Sequence, residues 1–280
     1  DNVTECNITT RKGVTNASIL QYNLLRIKNG GALVNETPTA FFKINASSII
    51  IESGGRIQGN VNITAVNVTI FSGGLINATG LGFRNGSGPG KGEEGADFIS
   101  AAGGGYGGRG GDGTNSGGSP ASLGGAIYGS LFNPVDLGSG GGSDVDACVS
   151  VSGTIEAFGG GFIFINVTNA LNISGNIQAM GVNGSAKGSG GGSGGSIWII
   201  TSDITGAGTI NASGGVGAPH HTSCSGPTHG GGGGGGRVAI YHSTGTYTGN
   251  VNVSGGLGTR EGIAGTNFSA SSITLNLTLN

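Results

Sequence analysis

The stretch SIWIITSDITGAGTINASGGVG (residues 196–217) aligns without a gap to RVAIYHSTGTYTGNVNVSGGLG (residues 237–258). Self-similarity at a fixed period marks a repeat architecture, in which each unit buries its apolar face against the next. The end of the unit recurs as GTIEAFGG (153–160), GNIQAMGV (175–182), GTINASGG (208–215) and GNVNVSGG (249–256), and more loosely as GGLINATG (73–80). Its beginning recurs as GFIFINVT (161–168). Each unit reads strand, turn, strand, Gly-Gly, then a glycine-rich loop whose length varies. No helical i, i+3, i+4 pattern persists, because glycine interrupts every long window. The expected fold is all-β: a parallel β-helix or solenoid with glycine-rich loops packed on its outer faces. A β-sandwich built from hairpins is the alternative, since the Gly-Gly and Asn-Gly corners also suit hairpin turns. One domain is expected over 1–280, with an N-terminal cap or exchange segment (1–50), repeat rungs (50–258) and a C-terminal strand (259–280).

The strand faces sort cleanly. In the second strand of each unit Ile210 and Ala212 alternate with Thr209, Asn211 and Ser213, and Val251 and Val253 alternate with Asn252 and Ser254. That is the period of a half-buried strand. The terminal SITLNLTLN (272–280) alternates as strictly. The first strand differs: FIFI (162–165), SIWII (196–200) and RVAIY (237–241) are apolar on both faces and need cover on both sides. Ahead of the last of these stand seven consecutive glycines, Gly230 to Gly236. Lacking side chains, such loops can lie close against other backbone. They are expected to cover the outer faces of Phe164, Trp198 and Tyr241, with polyproline-II-like packing as one way to do so.

Of the 280 residues 65 are glycine, and the formal net charge is -2. Nothing in that balance attracts nucleic acid or an acidic lipid surface. No apolar run is long enough to span a bilayer, and no signal peptide is visible, which fits a cytosolic chain or a processed, mature one. The N-x-[ST] sequons decide for the second: Asn2, Asn7, Asn16, Asn35, Asn45, Asn62, Asn67, Asn77, Asn85, Asn166, Asn172, Asn183, Asn211, Asn252, Asn267 and Asn276. Such density is expected of a secreted eukaryotic glycoprotein carrying N-linked glycans at the cell surface or beyond it. None falls between Gly86 and Ile165, which is read as a region packed against protein. Three cysteines suit an oxidising compartment; a Cys148–Cys224 disulfide is expected, leaving Cys6 unpaired or intermolecular.

Catalytic chemistry is sparse. No glycine run is followed by Gly-Lys-[Ser/Thr], so there is no phosphate loop. GYGGRGG (105–111) is a single copy of an RGG-like tract in a weakly charged chain. His220, His221, Cys224 and His229 have ligand chemistry, as do Asp112, Asp144 and Asp146 for calcium, but no repeated ligand spacing supports either. Only Glu93–Glu94 and Asp144–Asp146 offer paired carboxylates for sugar hydrolysis, and both lie in loop sequence. No catalytic residues, cofactor or metal are expected. The candidate aromatics for sugar binding are Tyr22, Tyr106, Tyr128 and Tyr247.

The segments GGSGGSIWIIT (191–201), GGGGGGRVAIYHS (231–243) and TINASGG (209–215) resemble the glycine-rich β-repeat regions of large eukaryotic extracellular proteins. These include plant glycine-rich surface proteins and the sexually induced, mastigoneme-type proteins of stramenopiles. The resemblance covers about residues 153–258 and, more loosely, 50–130; no EGF-like cysteine module accompanies it. It implies a structural part of an extracellular fibre or flagellar hair, and no catalytic residue carries over. The expected function is a heavily N-glycosylated filament protomer that partners itself, stacking head to tail. An adhesin or carbohydrate-binding solenoid is the alternative, and a polysaccharide-acting enzyme a third.

Overall fold

Isoleucine, valine and leucine recurring at every second position leave the chain one way to hide them, which is to stack equivalent strands directly over one another. The computed structural model describes residues 5–15, 19–37, 40–96, 98–143, 157–185, 188–219 and 229–271. In chain order the first strands are β1 (Glu5–Ile8), β2 (Arg11–Val14), β3 (Ile19–Ile27), β4 (Ala32–Asn35), β5 (Phe41–Ile51), β6 (Arg56–Gln58), β7 (Asn60–Ile70) and β8 (Leu75–Asn77). A small antiparallel pair follows, β9 (Gly113–Thr114) and β10 (Pro120–Ser122). The rest are β11 (Phe162–Ile173), β12 (Asn176–Gln178), β13 (Ser196–Gly206), β14 (Thr209–Asn211), β15 (Arg237–Tyr247), β16 (Asn250–Asn252) and β17 (Thr266–Ser271). No helix occurs among the described residues.

Two parallel sheets face each other. The long sheet runs β1-β3-β5-β7-β11-β13-β15-β17, and the short sheet β2-β4-β6-β8-β12-β14-β16. The chain alternates between them, advancing one strand per sheet each time, an arrangement compatible with a β-solenoid. Every ladder in both sheets is parallel, so the hairpin-built sandwich is excluded. The gapless repeat is the ladder itself: Ser196 pairs with Arg237 and Thr209 with Asn250. Among the described residues β1 to β5 already belong to the two stacked sheets.

Identical positions form columns about 4.8 Å apart along the stack. Ile44, Ile63, Ile165, Ile199 and Ile240 make one inward column of the long sheet. Leu33, Ile57, Ile76, Ile177, Ile210 and Val251 make the facing column of the short sheet. The first five of the latter are at most 2% exposed. Each such burial contributes roughly 1.5–3 kcal/mol before the entropic cost of ordering the chain.

The glycine segments sit at the corner where short-sheet strands end and long-sheet strands begin. All seven glycines from Gly230 to Gly236 are buried. Their N–H groups follow a strict period of three. Gly230, Gly233 and Gly236 donate to Ala218, Gly215 and Ala212, on the outgoing arm of their own loop. Gly231 and Gly234 donate to Ala101 and Gly104, and Gly232 and Gly235 to Arg260 and Ile263. These seven bonds span 2.7–2.9 Å. The seven carbonyls accept in turn from Thr259, Gly191, Gly111, Gly256, Gly194, Gly108 and Thr266. A polyproline-II-type helix has three residues per turn and no internal hydrogen bonds, so successive amides point to neighbours one third of a turn apart. The run is thus a rod saturated by its surrounding rods. Segment 190–195 repeats the scheme, donating to Gly142 and Ser139, to Gly231 and Gly234, and to Val182 and Ala179.

This differs from the expected covering layer. The glycine loops pair with one another rather than lying on the outer faces of Trp198 and Tyr241. On that face the bonding partners come from 128–136: the Phe132 carbonyl accepts from the Tyr241 hydroxyl, and the Asp136 carbonyl from Ser196 Oγ. The physical reason is the amide itself. A glycine segment laid on an apolar face would bury unpaired N–H and C=O groups, whereas a bundle of like segments pairs all of them.

Candidate assembly interface at the two sheet ends

Among the described residues the long sheet ends in β1 and β17. At one end β17 pairs only with Arg237–His242 of β15. The edge of Thr244–Tyr247 has no partner strand among the described residues. At the other end β1 pairs with Leu24–Ile27 of β3, the described part of that edge. The short sheet ends in β16 at one end and β2 at the other. Beside the uncovered part of β15 lies a cavity of about 330 Å³, lined by Ile204, Ile240, Gly245, Tyr247, Val251 and Asn267, among others. The position stacked on Ile204 is Gly245.

The outer face of the long sheet carries a second feature, a groove of about 470 Å³ that includes Gln21, Tyr22, Asn45, Ser47, Thr64 and Thr168. It follows the place where the pairing skips one position, between Tyr22 and Leu24 and between Ala46 and Ser48, and two between Val167 and Ala170. Its polar groups are amides and hydroxyls.

The sequons divide by geometry. Asn7, Asn45, Asn183 and Asn267 are exposed, while Asn62, Asn67, Asn85, Asn166 and Asn172 are half-buried. Asn2, Asn16 and Asn276 lie outside the described residues. Asn35, Asn77, Asn211 and Asn252 share one role: each ends a short-sheet strand, and its Oδ1 accepts from the backbone N–H two residues on, at Thr37, Thr79, Ser213 or Ser254. This Asx turn carries the chain out of the sheet at the corner. Asn35 is buried, and its Nδ2 donates to the Ala40 carbonyl. At these four positions asparagine has a structural reason to be present, apart from any sugar. Asn211→Ala or Asn252→Ala is expected to lower stability by about 1 kcal/mol in unglycosylated protein, the usual net worth of one hydrogen bond. The Asp variants keep the acceptor and should melt like the parent in thermal denaturation, although both substitutions abolish the sequon.

Other predicted residues scatter. Cys148, Cys224, His220, His221, Asp144 and Asp146 lie outside the described residues, so neither the proposed disulfide nor the calcium pair is placed. Cys6 is a half-buried free thiol, and His229 is exposed at the start of the glycine run. Among the described residues no cluster of His, Cys, Asp and Glu is arranged to hold a metal. Asp112 bonds Arg109 at 2.5 Å and the Gly124 amide at 2.8 Å, so the RGG-like arginine serves a local ion pair. The carboxylate of Glu93 accepts from the Leu123 amide.

Tyr106 corrects an expectation. It is fully buried, not an open sugar platform, with its hydroxyl 2.6 Å from Ser196 Oγ and its ring 4.8 Å from that of Tyr128. Burial pushes its hydroxyl up to about 12. Over this ring sits the Arg237 guanidinium, 5.4 Å from the centroid. Its Nε and Nη2 donate to the Tyr128 carbonyl and its Nη1 to Thr266 Oγ1. Sequence reasoning gave Arg237 no role; the one signal was a charge opening an otherwise apolar strand. The sequon-poor stretch is accounted for in part, since residues 101–108 are buried within the glycine bundle.

No helix among the described residues is long and apolar enough to cross a membrane. Compared with known proteins, the chain matches no family model, no curated protein and no solved structure.

Proposed function

We propose that this chain is a β-solenoid protomer of an extracellular, N-glycosylated filament, built by head-to-tail stacking, and that it has no enzymatic activity. The observation that supports this most is the uniform parallel stacking of both sheets, which gives the stack two unlike ends. An unpaired strand edge is a template for another strand, and natural proteins usually blunt or cover such edges. Among the described residues neither sheet closes on itself, and all strands within each sheet point the same way. The two ends therefore differ, and a contact between unlike ends does not close on itself but propagates. The glycine bundle fits a mechanical role: it fills one flank of the stack with hydrogen-bonded backbone rather than mobile loop. Exposed Asn7, Asn45 and Asn183 are the natural glycan carriers, being free of the corner-turn role. A secreted, surface-exposed location follows from this reading.

Electron microscopy of purified native protein over a concentration series tests it. Filaments that lengthen with concentration are expected; uniform monomers at every concentration would sink the idea.

A further inference from the structure

At the centre of the long sheet four neighbouring strands turn one column of side chains outward. Lys43, Asn62, Phe164 and Trp198 stand side by side across β5, β7, β11 and β13. Asn62 lies between Val61 and Ile63, Phe164 between Ile163 and Ile165, and Trp198 between Ile197 and Ile199. All six flanking residues are 0% exposed, so the column between them points away from the core. The Phe164 ring is 4.7 Å from that of Trp198 and stacks on that of Phe162 at 6.5 Å and 10°. Asn62, Phe164 and Trp198 are half-buried, and Lys43 is exposed. Asn62 opens the sequon Asn62-Ile63-Thr64, whose Thr64 is exposed on the same face. Unlike the four corner asparagines, its side-chain amide has no hydrogen-bond partner among the described residues. Asn62 is also the one sequon asparagine in the described ladders of the long sheet with an aromatic column mate. Asn45 stands beside Gln21 and Thr64, and Asn166 beside Thr64 and Ile200.

We infer that Asn62 carries an N-linked glycan whose first N-acetylglucosamine lies over the Phe164 ring, so that the sugar becomes a fixed covering piece of the sheet. This rests on the N-glycosylated part of the reading above and is independent of how, or whether, copies stack. The transfer joins Asn62 Nδ2 to the sugar's anomeric carbon. It breaks that carbon's bond to the pyrophosphate of a lipid-linked oligosaccharide donor, and the amide proton leaves with the pyrophosphate. Both edges of β7 are paired from Val61 to Thr64, so the sugar is added before this layer closes. The stacking has a physical basis. A pyranose ring shows an apolar face of C–H groups with partial positive charge, and an aromatic face carries the negative part of its quadrupole. Seating one on the other also takes apolar area of Phe164 out of water. Column mates on adjacent strands are about 4.8 Å apart, so a sugar on Asn62 needs no long reach. The opposite neighbour, Lys43, is charged and offers no ring, which gives the sugar one side to lean on.

Trp198 is the one tryptophan of the chain and packs on Phe164, so its fluorescence reports on this spot. The test uses full-length protein secreted from a eukaryotic host, with Asn62→Gln as the variant and Asn45→Gln as the control. Peptide mapping by mass spectrometry should find sugar on Asn62. Asn62→Gln should lower Tm by about 2–4 °C, the shift that a modest loss of stability produces in a chain of this size. It should also make Trp198 easier to quench with acrylamide, while Asn45→Gln changes neither reading. In protein made without glycosylation Asn62→Gln should leave Tm unchanged; an equal loss there would assign the effect to the asparagine itself and overturn the inference. On a Phe164→Leu background the glycosylated pair should no longer differ at position 62, since coupling between neighbours vanishes when one is removed. An undiminished difference would overturn the stacking. Sugar on other sequons with none on Asn62 would overturn the inference and leave the chain a glycoprotein. Sugar on no sequon would overturn both.

Discussion

Gly233→Ala, a change of one methyl group, should lower stability by about 3 kcal/mol or more, and alanine at Gly232, Gly233, Gly234 and Gly235 together should prevent folding. A Cβ added at any of the four would come closer than 3.0 Å to backbone of a neighbouring segment: Gly256 for Gly232, Gly192 for Gly233, Gly108 for Gly234 and Val253 for Gly235. Overpacking a well-filled core costs about 1–3 kcal/mol when side chains can give way. Here the obstacle is a peptide group fixed by its own hydrogen bonds, so relief means breaking bonds in the next rod. None of these four glycines has a positive φ, so the requirement is for space and not for a special backbone conformation. Gly117→Ala is the control. Its nearest neighbour is the Asn115 side chain at 3.4 Å, and the change should stay within about 0.5 kcal/mol. Chemical denaturation of the three variants checks the ranking. A Gly233→Ala protein as stable as Gly117→Ala would return the run to the status of a linker.

Arg237→Met should cost about 2–3 kcal/mol, and Arg237→Lys should recover less than half of that. Arg237 is 5% exposed, and its hydrogen-bond partners among the described residues are neutral. Methionine fills the volume but leaves the Tyr128 carbonyl without its two donors, and an unsatisfied buried acceptor costs about 1–3 kcal/mol. Lysine keeps the charge but not the planar fork that reaches Tyr128 and Thr266 at once. Because Thr266 opens β17, the same variants should loosen that strand. Faster amide exchange at Thr266–Ser271 than in β13, measured by hydrogen–deuterium exchange, is the expected signature. An Arg237→Met protein with parental melting and exchange would show that the guanidinium is dispensable.

Much of the stacked architecture was legible because the repeat is a spatial instruction. The gapless match of 196–217 to 237–258 is the ladder register, residue for residue. The alternation of Ile210 and Ala212 with polar neighbours set their inward face, and both are fully buried. The candidate interface was less legible. The sequon N-x-[ST] reads as a sugar site, yet at Asn77, Asn211 and Asn252 the same three residues build an Asx turn, because acceptor and donor stand two positions apart in both motifs. Tyr106 looked free because its flanking glycines suggested a loop; only distant segments brought together place Ser196 and Arg237 against it.

Local pattern alone determined which residues face inward and which strands are equivalent, since apolar alternation and its repeat distance are properties of the chain; that the strands pair in parallel was decided by the structure. Tertiary structure decided the rest. Glycine has no side chain to record its neighbours, so GGGGGGG is the same text for a linker, a cover or a rod. What separates them is where the seven amides find carbonyls, and those belong to segments up to 130 residues away in the chain, as with Gly236 beside Ala212 but Gly231 beside Ala101. The columns of the two sheets were hidden for a related reason. Which residue of β1 shares a column with which residue of β15 depends on the summed register of every ladder between them, and no single stretch of sequence carries that sum.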